Sequence, residues 1–157
     1  MTDARKAGRY QRLREQLEAE LTKSGDPIAR MATAVAILHA KQPHFFWTGF
    51  YRRVGDQLVV GPYQGSLACQ NIDWGRGVCG TAAAEDRTLV VPDVHAFPGH
   101  IACDARSHSE VVVPFHDPDG TVAGVLDVDA TVPDAFDDVD ALHLEAIVGM
   151  VFPEGIR

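Results

Sequence analysis

No apolar run in this sequence approaches ~20 residues, the length a helix needs to cross a hydrocarbon core, so no membrane span is expected. A basic excess is missing too: 14 Lys and Arg stand against 22 Asp and Glu, for a formal net charge of −8. Binding nucleic acid or an anionic membrane surface calls for a concentrated basic patch. Here the basic residues gather only at Arg5, Lys6, Arg9, Arg12 and Arg14, and acids interrupt them soon after. Neither partner is expected. The opening M-T-D-A-R-K-A-G-R-Y lacks the apolar segment of a secretory leader, which makes a cytoplasmic protein the expectation. Cysteine is scarce, at Cys69, Cys79 and Cys103 alone, and no C-x(2–4)-C knuckle is present. In a reducing compartment that argues against a structural disulfide and leaves buried fillers, metal ligands or redox chemistry. A zinc set of the cysteines with His95 or His100 is the structural rival, but it lacks the usual ligand spacing. No metal and no cofactor are therefore expected. Repeats, low-complexity tracts and linkers are absent as well.

What is there reads as a globular chain. With 157 residues, 46% hydrophobic and 23% charged, it is long enough for one full core and too short for two, so residues 1–157 are read as a single domain. Residues 1–25 form a helix ahead of that core. Tyr10, Leu13, Leu17 and Leu21 recur at helical spacing, giving an amphipathic helix from Ala4 to Leu21. Asp26-Pro27 is a capped helix start, and Ile28, Met31, Ala32, Val35 and Leu38 extend the apolar stripe to Lys41-Gln42-Pro43. Phe45 to Val54 and Gln57 to Tyr63 read as a hairpin turning at Gly55-Asp56. Gln64 to Gly80 reads as loop, Thr81 to Glu85 as a short helix and Leu89 to Val91 as a strand. A loop from Asp93 to Arg106 follows, turning at Pro98-Gly99. A last helix is expected from about Asp137, where Asp137 and Asp138 favour its N-terminus. Consecutive hairpins with terminal helices make an α+β domain: a central antiparallel sheet with helices over one face.

The chemistry-bearing stretch is Phe97 to Asp129. A hairpin runs through Ser109 to His116, turns at D-P-D-G and returns through Thr121 to Asp129. Closed symmetrically on that turn, it sets Glu110 opposite Asp127. Side chains alternate along a strand, so Asp127 and Asp129 share a face and Glu110 joins them across the ladder. Three carboxylates this close cannot all ionise cheaply, so at least one should hold its proton above the usual ~4. Cys103 sits in the loop leading into this strand. Cys79 lies between Gly77 and Gly80 ahead of a helix, whose N-terminus would lower its pKa.

Six motifs in register then carry a resemblance: W-x-G-F-Y (Trp47 to Tyr51), G-P-Y-Q-G-x-x-A-C (Gly61 to Cys69), G-x-G-V-C-G-T-A-A (Gly75 to Ala83), D-V-H-x-F-P-G-H-I-A-C-D (Asp93 to Asp104), S-E-V-V-V-P (Ser109 to Pro114) and G-V-L-D-V-D (Gly124 to Asp129). From Asp26 onward the chain resembles the free methionine-(R)-sulfoxide reductases, which are single GAF-domain enzymes. The resemblance implies a GAF sandwich with its pocket between the sheet and the cysteine loops. It also implies reduction of free L-methionine-(R)-S-oxide with electrons from thioredoxin, and a homodimer, for which the aromatic hairpin offers a surface.

Such a reaction needs a thiolate to attack sulfur and an acid to protonate the departing oxygen. Cys103 is the candidate nucleophile, and either Cys69 or Cys79 could close a disulfide with it. Glu110 and Asp129 are assigned to the oxygen, Asp127 to positioning, and Trp47 with Tyr51 to an apolar wall for the S-methyl group. His95 and His100 are candidates for tuning the thiolate. The alternative is a non-catalytic GAF sensor of a small ligand or of redox state, expected in longer chains beside an output domain.

Overall fold

The computed structural model describes residues 2–100 and 103–156. Six strands form one antiparallel sheet in the order β3-β2-β1-β6-β5-β4. They are β1 (Trp47–Val54), β2 (Gln57–Gln64), β3 (Asn71–Asp73), β4 (Leu89–Val91), β5 (Ser109–His116) and β6 (Val122–Ala130). Helices α1 (Asp3–Leu21), α2 (Pro27–Lys41) and α4 (Asp138–Val151) cover one face, and α3 (Gly77–Glu85) with the loops covers the other.

The helix ends follow local chemistry. Asp26 caps α2 through the Ala29 amide with Pro27 in the first turn. Asp137 and Asp140 cap α4 reciprocally, each side chain meeting the other's backbone N–H. On α1 the stripe Tyr10, Leu13, Leu17 and Leu21 is buried as its spacing requires. On α2 the buried side is Met31, Ala34, Val35, Ile37 and Leu38, and Ile28, read as part of the stripe, is 62% exposed. Lys6 and Tyr10 of α1 both bond the buried Asp140 of α4, at 2.7 and 2.6 Å, which docks the first helix onto the last. Burial opposes the Lys6 charge, and Asp140 and Asp137 overcome it, so its pKa ends above the ordinary value.

The alternation along β5 and β6 divides two cores. Val111, Val113, Phe115, Leu126 and Val128 pack with Phe50 under the three helices. Val112 and Val125 pack with Trp47, Tyr51 and α3 on the opposite side. The register differs from a symmetric closure. Glu110 pairs with Asp129, and Asp127 stands opposite Val112. Two one-residue slips produce this. His116 pairs with Val122, which leaves Thr121 in the turn, and the ladder slips again between His116 and Phe115, where Phe115 pairs with Gly124. One slip alone would carry every side chain to the wrong face, whereas two restore the parity. All three carboxylates therefore remain on the α3 side.

Other boundaries also differ. The first hairpin strand begins at Trp47 rather than Phe45. Asn71–Asp73, read as loop, pairs with Gln57–Val59 as an edge strand too short to show a period. The short helix begins at Gly77 instead of Thr81. Gly77 and Gly80 are poor helix residues individually, but Gly80 lies so close to the Asp73 carbonyl that a Cβ would come to 2.7 Å. Tight packing on β3 overrides propensity there.

Candidate active site

The α3 face of β1, β5 and β6 floors a hollow. Its lining includes Trp47 and Tyr51 from β1, Glu110 from β5, Asp127 and Asp129 from β6, and Cys79 from α3, with Cys103 from the loop above. The expected binding residues and two of the three cysteines thus meet around one space. The third cysteine, Cys69, reaches it through a disulfide with Cys103, with the two Cα atoms 5.4 Å apart, while Cys79 stays free and buried. Two of the four ligands of the zinc alternative are therefore bound to each other.

Trp47 has a prepared bed. Its ring stacks on Tyr63 at 5.2 Å and on Tyr51 at 5.8 Å, and its indole N–H donates to the Ser66 carbonyl at 3.0 Å. A Cβ on Gly49 would come to 2.5 Å from the indole, and one on Gly65, where φ is +127°, to 2.8 Å. Those two glycines let the ring lie flat against the sheet. Tyr51 donates its hydroxyl to the Cys69 carbonyl at 3.0 Å, so the aromatic floor and the disulfide loop are joined. Burial and the nearby Asp127 hold its phenol protonated.

The carboxylates are packed as their register requires. Glu110 and Asp127 are buried and Asp129 is partly exposed. Cys79 Sγ donates to Glu110 Oε1 at 3.7 Å, and an Asp127 oxygen lies within 4.8 Å of both groups. Asp127 Oδ1 is buried and has no hydrogen-bond partner among the described residues. Burial, then Asp127 and Asp129, push the Glu110 carboxyl well above the ordinary range. Burial raises Asp127 too, and hydrogen bonds with Glu110 and Cys79 offset only part of that rise. Asp129 is raised by burial and then by Asp127 and Asp104. Burial and mutual repulsion therefore disfavour full ionisation of this cluster, which titrates as a coupled unit and holds a proton above the ordinary carboxylate range.

Cys79 departs from its sequence reading. It lies inside the first turn of α3, not ahead of the helix, and its thiol is pushed well above the ordinary value. Burial is the largest cause and the three carboxylates add to it, outweighing the helix dipole. The histidines divide. His100 lines the hollow, and burial lowers its pKa. His95 pairs instead with the exposed Asp93.

Some lining residues escaped the sequence reading. Asp104, next to Cys103, is gripped by the Arg106 guanidinium at 2.8 and 3.1 Å and by the Arg106 amide at 2.9 Å, which holds its carboxyl well below the usual range. Arg76 caps α3 without a side-chain bond and stands at the rim. Ser66 contributes a buried hydroxyl beside Asp104, whose carboxyl it helps to hold low. A lone Arg or Ser in a glycine-rich loop carries no periodic signal.

A family model described as GAF domain matches residues 28–150. Protein YtsP of Bacillus subtilis is 49% identical over 137 residues, covering 86% of this chain and 83% of the relative. The free methionine-R-sulfoxide reductase of Escherichia coli is 44% identical over 124 residues, 79% of this chain and 74% of the relative. A structure of the Neisseria meningitidis free methionine-R-sulfoxide reductase in complex with its substrate superposes with a TM-score of 0.90. It is 42% identical, and the match covers 93% of this chain and 87% of that one.

Proposed function

Because the chain belongs to the GAF-domain family of free methionine-R-sulfoxide reductases, we propose that it reduces free L-methionine-(R)-S-oxide to L-methionine through Cys103. The observation that carries the reading is that Cys103, joined to Cys69, lines the same small hollow as the clustered carboxylates Glu110, Asp127 and Asp129.

The Cys103 thiolate attacks the sulfoxide sulfur while a carboxylic acid of the cluster, Glu110 with Asp129 beside it, gives a proton to the oxygen. The S–O bond breaks as water leaves, and a Cys103–methionine S–S bond remains. Water then adds at Cys103 Sγ, the S–S bond breaks, methionine leaves with its electron pair, and Cys103 is a sulfenic acid. Cys69 then displaces water to form the disulfide, so two thiols supply the two electrons. Reduction by thioredoxin, a dithiol donor suited to a disulfide in a reducing compartment, restores the enzyme. Cys69 is favoured over Cys79 as the resolving thiol because it is the partner Cys103 reaches, and because Cys79 is held protonated.

Substrate charge has complements at both ends. Asp127, whose buried Oδ1 has no partner among the described residues, suits the ammonium group, and Arg76 at the uncapped start of α3 suits the carboxylate. The flat Trp47 ring offers the S-methyl group an apolar wall, with Tyr51 beside it. The domain extent of 1–157, a homodimer and a cytoplasmic setting belong to the same reading. No helix among the described residues is long and apolar enough to cross a membrane.

The test is NADPH oxidation coupled through thioredoxin reductase and thioredoxin, with each epimer in turn. Turnover is expected with the free R epimer, and little with the S epimer or with peptide-bound sulfoxide. A rate no higher than the thioredoxin system alone would remove the enzyme reading and favour a sensor.

A further inference from the structure

Outside the hollow, the two ends of the loop that carries Cys103 meet in a cluster of unused nitrogen and oxygen ligands. Asp93 precedes the 3₁₀ turn Val94–Ala96 and caps it, its Oδ1 accepting from the His95 amide at 3.0 Å. This cap brings the His95 ring round, so that Nδ1 lies 3.2 Å from the same Oδ1. At the far end, His108 continues the β5 ladder: its amide donates to the Ala130 carbonyl at 2.8 Å, and its carbonyl accepts from the Val94 amide at 2.8 Å. His108 Nε2 thereby stands 3.6 Å from Asp93 Oδ1. The two imidazoles meet nearly edge to face, with centroids 5.1 Å apart.

We propose that Asp93, His95 and His108 form a binding site for a late first-row divalent metal ion, zinc foremost, which ties together the two ends of the Cys103 loop. Three observations support it. The donor set, two imidazoles and a carboxylate, is one such ions prefer. The three ligand atoms all lie within 4.8 Å of one another, and two of the separations, 3.2 and 3.6 Å, match the edge of about 3.3 Å in a tetrahedron with zinc–ligand bonds near 2.0 Å. The side chains are 47, 57 and 37% exposed, so an ion can enter and water can complete its shell. Hydrogen bonds of the Asp93 carbonyl, the His95 amide and the His108 amide and carbonyl hold the three backbone positions. The ion would bridge position 93 to position 108, fifteen residues apart, with Cys103 between them. A bound ion would therefore stiffen the segment that must shift when Cys103 changes partners.

Zinc chloride titrated calorimetrically into the oxidised protein, in which Cys69 and Cys103 are joined, is expected to show one site per chain. Loss of even an outer partner of a metal ligand weakens binding about tenfold, so Asp93→Asn and His108→Asn should each cost that or more. Asn can still accept the cap bond of the 3₁₀ turn, so the Asp93 variant keeps its local fold. His100→Asn should bind as wild type. Zinc should also slow phosphine reduction of the disulfide in wild type and leave the His108→Asn rate unchanged. Absence of saturable zinc uptake would overturn the site. So would uptake that survives both substitutions and disappears in Cys79→Ser, which would put the ion among Cys79, Glu110 and Asp127. An unchanged reduction rate in wild type would overturn the tie between the loop ends.

Discussion

Glu110 stands directly across the β5–β6 ladder from Asp129, and Val91 of β4 flanks it on the other side. One neighbour disfavours its charge by repulsion, and the other by excluding water. Asp127, opposite Val112 on the same face, adds a second repulsion, and the Cys79 thiol gives Glu110 one hydrogen bond. The acid is thus made by its setting.

A raised Glu110 pKa has opposite consequences for activity and stability. Activity that needs the protonated acid should fall as pH rises through the raised value. Glu110→Gln fills the same volume without a transferable proton, so kcat/KM should drop by about 10²–10⁴. The folded form binds this proton more tightly than the unfolded chain, in which Glu titrates near ~4.3. Wild-type stability contributed by this group is therefore full below that value and lost as pH climbs towards the raised folded pKa. Melting temperatures across pH should show the Gln variant equal to wild type in acid and ahead of it at neutral pH.

The cysteines should separate by step. Cys103→Ser is expected to release no methionine even in a single turnover. Cys69→Ser should release about one equivalent per chain and then stop with thioredoxin as reductant. Cys79→Ser should still form the disulfide, because its thiol, held protonated, is not the one that pairs. A stoichiometric burst from Cys103→Ser would transfer the nucleophile to another thiol. Mass spectrometry of the quenched protein reads all three cases.

The bed of Trp47 should be intolerant of a methyl group. Gly49→Ala would press a Cβ onto the indole and Gly65→Ala would do so at a φ of +127°. Overpacking of this kind costs about 1–3 kcal/mol. Both variants should raise KM for the sulfoxide more than Gly25→Ala, where a Cβ meets nothing within 4 Å. Steady-state kinetics with urea denaturation checks both effects.

Docking of α1 should depend on one phenol. Tyr10→Phe removes the 2.6 Å bond to the buried Asp140 and leaves Lys6 and the Asp137 amide to hold that charge. Hydrogen bonds to charged groups contribute about 1.5–3 kcal/mol, and a loss of that order is expected in urea denaturation. The hollow lies on the opposite side of the sheet, so kcat should change little.

The sequence by itself determined the two-sided sheet. Alternation along Val111 to Phe115 and Leu126 to Asp129 assigned each side chain a face, because a strand's period of two is a local property. The helical stripes and their caps were legible for the same reason, as were the cysteines and carboxylates as types of group. Pairing was not. Which acid faces Glu110 depended on a turn one residue longer and a second slip in the ladder, and neither leaves a mark in composition. The start of α3 at Gly77 depended on its fit to β3. Whether Cys79 is acidic or inert depended on its burial and then on the carboxylates around it, which come from strands far along the chain. Tertiary structure alone decided which cysteine partners Cys103, because a disulfide follows the separation of two backbones in space rather than along the sequence.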